Sequence, residues 1–237
     1  MRAPQVLAVA VALALGAAGC GSGSDGAADD PAKLNVVTTV SPLTSIVANV
    51  AGDRAEVRGL IPEGVNSHTF EPPPSAAKIL ARADVLFVNG LRLEDPTRAL
   101  ADANLRSGAE VVELGDATIG PDQYLYDFSF PREAGKPNPH LWTNPPYARD
   151  YARIVRDTLV RRDAASADAY RANYERFAAK VDELDRAMRE ASATVPRKEL
   201  LTYHDAYAYF AKHYGLTVIG AVQVSSFEEP TPREVAG

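Results

Sequence analysis

Apolar and polar positions change period along the chain, and each change marks an element. "KLNVVTTV" (Lys33–Val40) is a β-branched apolar run and predicts a strand. "SPLTSIVANVAG" predicts a helix, with Ser41 as N-cap, Pro42 at the first helical position and Gly52 just past the end. "AEVRGLI" (Ala55–Ile61), "DVLFVNG" (Asp84–Gly90) and "EVVEL" (Glu110–Leu114) predict further strands. The middle one is apolar without alternation, as in a parallel sheet covered on both faces. Helical stretches lie between them at Pro72–Ala83 and Asp95–Gly108. From Gly115 to Pro137 no period is visible, and the segment reads as loop.

A helix then opens at Pro145, capped by Asn144, with Tyr147, Tyr151, Ile154, Val155, Thr158 and Leu159 on one face. A longer one runs from Ser166 to Thr194, with Tyr170, Tyr174, Phe177, Val181, Leu184 and Met188 as its core face. At 1.5 Å per residue it is about 40 Å long. After Pro196 the alternation resumes with strand Glu199–His204, helix Asp205–Gly215 and strand Leu216–Val224. This order predicts an α/β fold of right-handed βαβ units in two lobes with parallel sheets. The first lobe takes residues 33–165, the long helix 166–195 and the second lobe 196–237. That last unit buries too little to stand alone, so an incomplete second lobe is expected.

The N-terminus changes the compartment. "MRAPQVLAVAVALALGAAGC" has Arg2 in a short positive region and then an apolar stretch, Val6–Leu15, too short to span a bilayer stably. Residues 1–19 read as an export signal. "AAGC" resembles a bacterial lipobox, with Ala17 where leucine is commonest. Cys20, the sole cysteine, is then the lipidation site, and two or more acyl chains anchor stably where one does not. Residues 20–32 are Gly, Ser and Asp-rich and read as a flexible tether. The expected location is therefore extracytoplasmic, anchored by lipid to the membrane. One cysteine excludes an intrachain disulfide and a Cys-based zinc site. A net charge of −6 argues against a nucleic-acid partner.

The candidate chemistry is histidine. His68 lies in "GVNSHTFEPPP" after the second strand, His204 ends the strand "ELLTYH", and His140 lies in "PNPHLWTNPP", a loop stiffened by four prolines. Ligands of open parallel sheets bind outside the C-terminal strand ends, so these three are placed to share one crevice. Neutral imidazole suits zinc, at about 2.0–2.1 Å. Glu71 and Asp205, close in sequence to two of the rings, are candidates to orient them through the second nitrogen. His213, deep in its helix, reads as surface. Tyr203, Tyr207, Tyr209 and Phe210 read as core, and Trp142 as support for the loop. Taken singly, a loop histidine is ordinary polar surface, and no H-x-x-x-H spacing strengthens the pattern.

The segments "GVNSHTFEPPPS", "NPHLWTNPPYA" followed by "YRANYERFAAKVDELD", and "LLTYHDAYAYFAKHYGL" resemble the motifs of the zinc/manganese solute-binding lipoproteins of bacterial ABC transporters, also called the lipoprotein adhesins. The resemblance runs from about residue 34 to the end of the chain. It implies two lobes joined by the long helix, which restricts their motion, with the metal in the cleft between them. It also implies His68 and His140 as ligands from the first lobe, His204 as one from the second, and an ABC permease as partner. The family's fourth, acidic ligand comes from further along than Gly237, so the resemblance implies that the chain is a fragment, the alternative being a site completed by water or by a local carboxylate such as Glu228 or Glu229. The family's common Asp-Pro between the two helices is here Asp163-Ala164. Histidine at the third ligand position resembles zinc binders rather than manganese binders, and nitrogen donors favour zinc in their own right, with Mn2+ as the alternative. The expected function is capture of zinc by a monomer, not catalysis, with affinity falling through the ordinary histidine range as pH drops. A zinc-dependent hydrolase and a surface adhesin are the rival readings.

Overall fold

The computed structural model describes residues 33–223. The export signal, Cys20, the tether and Glu228 and Glu229 lie outside them. The first sheet contains β1 (Leu34–Thr38), β2 (Ala55–Gly59), β3 (Val85–Val88) and β4 (Glu110–Glu113), all parallel in the order β2-β1-β3-β4. Its strands alternate between two cores. Val36, Val85 and Phe87 face one apolar cluster, while Val37, Leu86 and Val88 face the other. Both faces are covered, which is why β3 reads as an unbroken apolar run and is buried throughout.

Helix α1 (Ser41–Ala51) packs against the first cluster and α2 (Ala76–Leu80) and α3 (Asp95–Asn104) flank the second. Ser41 is the first helical residue rather than the cap, because Val40 takes the extended N-cap position with no side-chain bond. Helix α2 is shorter than expected, since the prolines before it form a turn in which Ala76 N donates to the Pro73 carbonyl. Within the stretch read as loop, α4 (Leu114–Thr118) follows β4 directly. Its five residues are too few to display a period.

Helix α5 (Pro145–Arg162) buries Tyr151, Ala152, Val155, Thr158 and Leu159. Helix α6 (Ala167–Thr194) spans 28 residues, about 42 Å. It packs along α5 and α1 through Tyr170, Tyr174, Ala178 and Val181. Beyond that the helix is more open, and Leu184 is 51% exposed. A second, two-stranded parallel sheet follows, β5 (Glu199–Thr202) with β6 (Thr217–Ala221), bridged by α7 (Ala208–Tyr214). The fold is α/β with parallel sheets and one long helix. Among the described residues no helix is long and apolar enough to cross a membrane.

His213 is not free surface. Its Nε2 lies 2.7 Å from Asp185 Oδ1 and 2.9 Å from Arg189 Nη2, and Tyr214 donates to the same Asp185 oxygen at 2.8 Å. This cluster ties α7 to the long helix.

Candidate metal centre

His68, His140 and His204 converge. Their Nε2 atoms are 3.2 Å apart for His68 and His140, 3.3 Å for His68 and His204, and 3.0 Å for His140 and His204. Each stands on a different support. His68 follows β2, its N–H donating to Asn66 Oδ1 at 3.0 Å, and His204 lies two residues beyond β5. His140 sits in the proline-rich loop and is 3% exposed. Phe130 and Trp142 wall its ring, with centroids 5.7 Å and 5.1 Å away.

The surrounding hydrogen bonds decide which nitrogen of His140 carries the proton. Asn138 Nδ2 donates to Asp127 Oδ2 at 2.7 Å and to the Asp205 carbonyl at 2.9 Å. The other end of that amide is therefore the oxygen, and it accepts from His140 N–H at 3.1 Å. The same oxygen lies 2.8 Å from His140 Nδ1, so that nitrogen is the N–H donor. The Nε2 lone pair then points at the other rings. His204 Nδ1 faces Gln223 Oε1 at 2.6 Å, which sets the same tautomer.

The orienting partners of His140 and His204 are thus amide oxygens, not the carboxylates expected from sequence. Glu71 is exposed and bonds to no ring among the described contacts. Asp205 is buried and holds the loop instead, accepting from Ser129 N–H at 3.0 Å. Beside it, Asp127 is pushed up to about 7, chiefly by burial and then, among the charges, by Asp205. Thr143 Oγ1 donates to the Ala206 carbonyl at 2.9 Å and Leu125 N–H to Tyr209 Oη at 3.2 Å. The stretch 205–209 is in this way stitched to the loop that carries His140. Tyr203 and Tyr207, read as core, are 49% and 40% exposed and line the cleft.

Lone pairs brought this close repel unless a cation lies between them. A regular tetrahedral zinc site at 2.0–2.1 Å has ligand–ligand edges of about 3.3–3.4 Å, close to those observed. The three rings form one face of such a tetrahedron, and the remaining vertex opens on a cleft of about 420 Å³. They are also the group of potential metal ligands that stands out among the described residues. All three donors are nitrogen, which suits zinc better than manganese.

Burial holds His68 down at about 3, helped by the charges of His204 and Lys136, and it holds His140 well below the ordinary histidine value. Proton competition at His68 and His140 in the folded protein therefore lies below the ordinary histidine range expected from sequence. The unfolded chain, by contrast, takes up protons from about pH 6.5 downward. Between that value and the depressed ones the unfolded state binds more protons, so metal-free protein loses stability as pH falls, by about 1 kcal/mol per pH unit per ring. Melting of the metal-free protein is expected to drop steadily from pH 6.5 to 4.5, and less steeply in His68→Gln. Equal slopes in the two proteins would contradict the depression.

A parallel α/β frame with a histidine cleft beside its strand ends is the architecture of a metal-binding protein. Residues 36–237 match the family model for zinc-uptake complex component A, periplasmic (ZnuA). The chain belongs to this family, and its curated relatives include metal-binding lipoproteins of ABC transporters. It is 32% identical over 213 residues to the manganese-binding lipoprotein MntA of Halalkalibacterium halodurans, covering 89% of this chain and 68% of that protein. The periplasmic zinc-binding protein TroA from Treponema pallidum superposes with a TM-score of 0.74 at 27% identity, covering 85% of this chain and 71% of that one. Zn(II)-bound AdcA from Streptococcus pneumoniae superposes with a TM-score of 0.71 at 27% identity, over 86% of this chain and 42% of that one. The chain thus spans about two thirds of MntA and less than half of AdcA.

Proposed function

We propose that this chain captures one zinc ion outside the cytoplasm through His68, His140 and His204 and passes it to a membrane permease of an ABC importer. The ion is cargo, and Mn2+ is the weaker alternative. The observation that carries this reading is the triangle of Nε2 atoms with the His140 tautomer set by Asn138. Anchoring through a lipid on Cys20 and a monomeric state belong to the same proposal. Capture is favoured over catalysis by the curated relatives, which are substrate-binding lipoproteins of metal ABC transporters.

The test is equilibrium dialysis of the metal-stripped protein against zinc and against manganese, with bound metal counted by elemental analysis. One zinc per chain is expected, with zinc retained when manganese competes at equal concentration. A folded protein that takes up no zinc would sink the proposal.

A further inference from the structure

In the order β2-β1-β3-β4 the chain leaves β1 and β3 toward opposite edges of the sheet, so the crevice outside their C-terminal ends is the topological switch point. What fills it here is not a ligand but a side-chain network. Thr39 and Asn89, just past the two strands, are both fully buried. Glu94, 3% exposed, receives both: its Oε1 accepts from Thr39 Oγ1 at 2.6 Å and from Asn89 N–H at 2.6 Å. Bringing Glu94 back to the strand ends takes an unusual turn, in which Gly90, Leu91 and Arg92 have φ of 78°, 52° and 62°. Two non-glycine residues in the left-handed region are strained, and the surroundings must hold them there. Leu91 N–H donates to Asp116 Oδ2 at 3.0 Å to do so.

The network points at the metal site. Asn89 Nδ2 donates to the Pro139 carbonyl at 2.9 Å and to the Gly90 carbonyl at 3.2 Å, and Asn89 Oδ1 accepts from Tyr151 Oη at 2.8 Å. Pro139 immediately precedes His140. We propose that Asn89, held in place by Glu94 and Thr39, is a positioning residue that aims His140 from the switch point of the sheet. Asn138 fixes the ring from the side of the second sheet, and Asn89 fixes its backbone from the side of the first. This inference rests on the metal site proposed above.

The test is Asn89→Ala in the full chain, read by zinc affinity in competition with a chromophoric chelator, by the visible spectrum of the cobalt(II) form and by melting without metal. Leu80→Ala, in the core on the other face of the sheet, is the control for lost stability alone. Asn89→Ala is expected to lower zinc affinity ten- to a hundred-fold, the usual range for a group one step behind a ligand, and to alter the cobalt bands. Leu80→Ala is expected to melt lower with affinity and spectrum unchanged. Tyr151→Phe, which removes only the hydroxyl that meets the amide, is expected to move both readouts the same way by less, and it decides the matter if Asn89→Ala does not fold. Variants of Asn89 and Tyr151 with wild-type affinity and spectrum overturn the proposal. A wild-type protein that binds neither zinc nor cobalt overturns the metal site itself, a result distinct from tight binding that ignores Asn89.

Discussion

His140→Ala abolishes zinc-induced stabilisation. At zinc concentrations about a thousand times the dissociation constant, a ligand that binds only the folded state adds about 4 kcal/mol. In a domain of this size that corresponds to roughly 8–16 °C in melting temperature. His140 is the most deeply buried of the three rings, and its tautomer is fixed on the Asn138 amide oxygen. Its removal leaves two donors on opposite sides of the cleft, each on a more exposed mount. The loss of affinity should therefore exceed the ten- to hundred-fold typical of groups behind the ligands. Calorimetric melts with and without zinc check it. A variant that zinc still stabilises by more than half the wild-type shift would mean that His140 is structural.

Asn138→Ala carries the largest expected cost in stability. This one amide donates to Asp127 Oδ2 and the Asp205 carbonyl and faces the His140 backbone N–H and ring with its oxygen. Deletion strands these groups in a buried site, where an unmatched polar group costs about 1–3 kcal/mol. Not all of them can find water, and a net loss of about 3–4 kcal/mol is expected. Zinc affinity should fall as well, since the ring is no longer held in its tautomer. Urea denaturation of the metal-free protein measures the first effect and chelator competition the second. Melting within a few degrees of wild type would show that the loop is held from elsewhere.

Much of this was legible in the sequence because it is written locally. Strand-and-helix alternation, Pro42 and Pro145 at helix starts, and histidines just beyond strand ends are patterns within a few residues. The rings' partners are not. Carboxylates near the histidines in sequence pointed to Glu71 and Asp205, whereas the groups that face the second ring nitrogens of His140 and His204 are Asn138 and Gln223. Asn138 carried a usable signal, an asparagine two residues before the histidine in a stiff turn, where such side chains bond locally. Gln223 carried none, since it reaches His204 from the end of another strand. The same limit explains His213, whose partner Asp185 lies on another helix. It also explains Leu184, which fits the helical stripe but is half exposed.

The spacing of the three ligands along the chain has a mechanical consequence. His68 and His140 are 72 residues apart, and His140 and His204 a further 64. An ion held by all three would staple two long loops end to end, removing freedom from the unfolded chain in the way a pair of cross-links does. Pulled from its two ends, the loaded protein would unravel inward only to residues 68 and 204. The 136-residue span between them would stay shut until the ion departs. Release of the cargo and parting of the two sheets would then be one event under load.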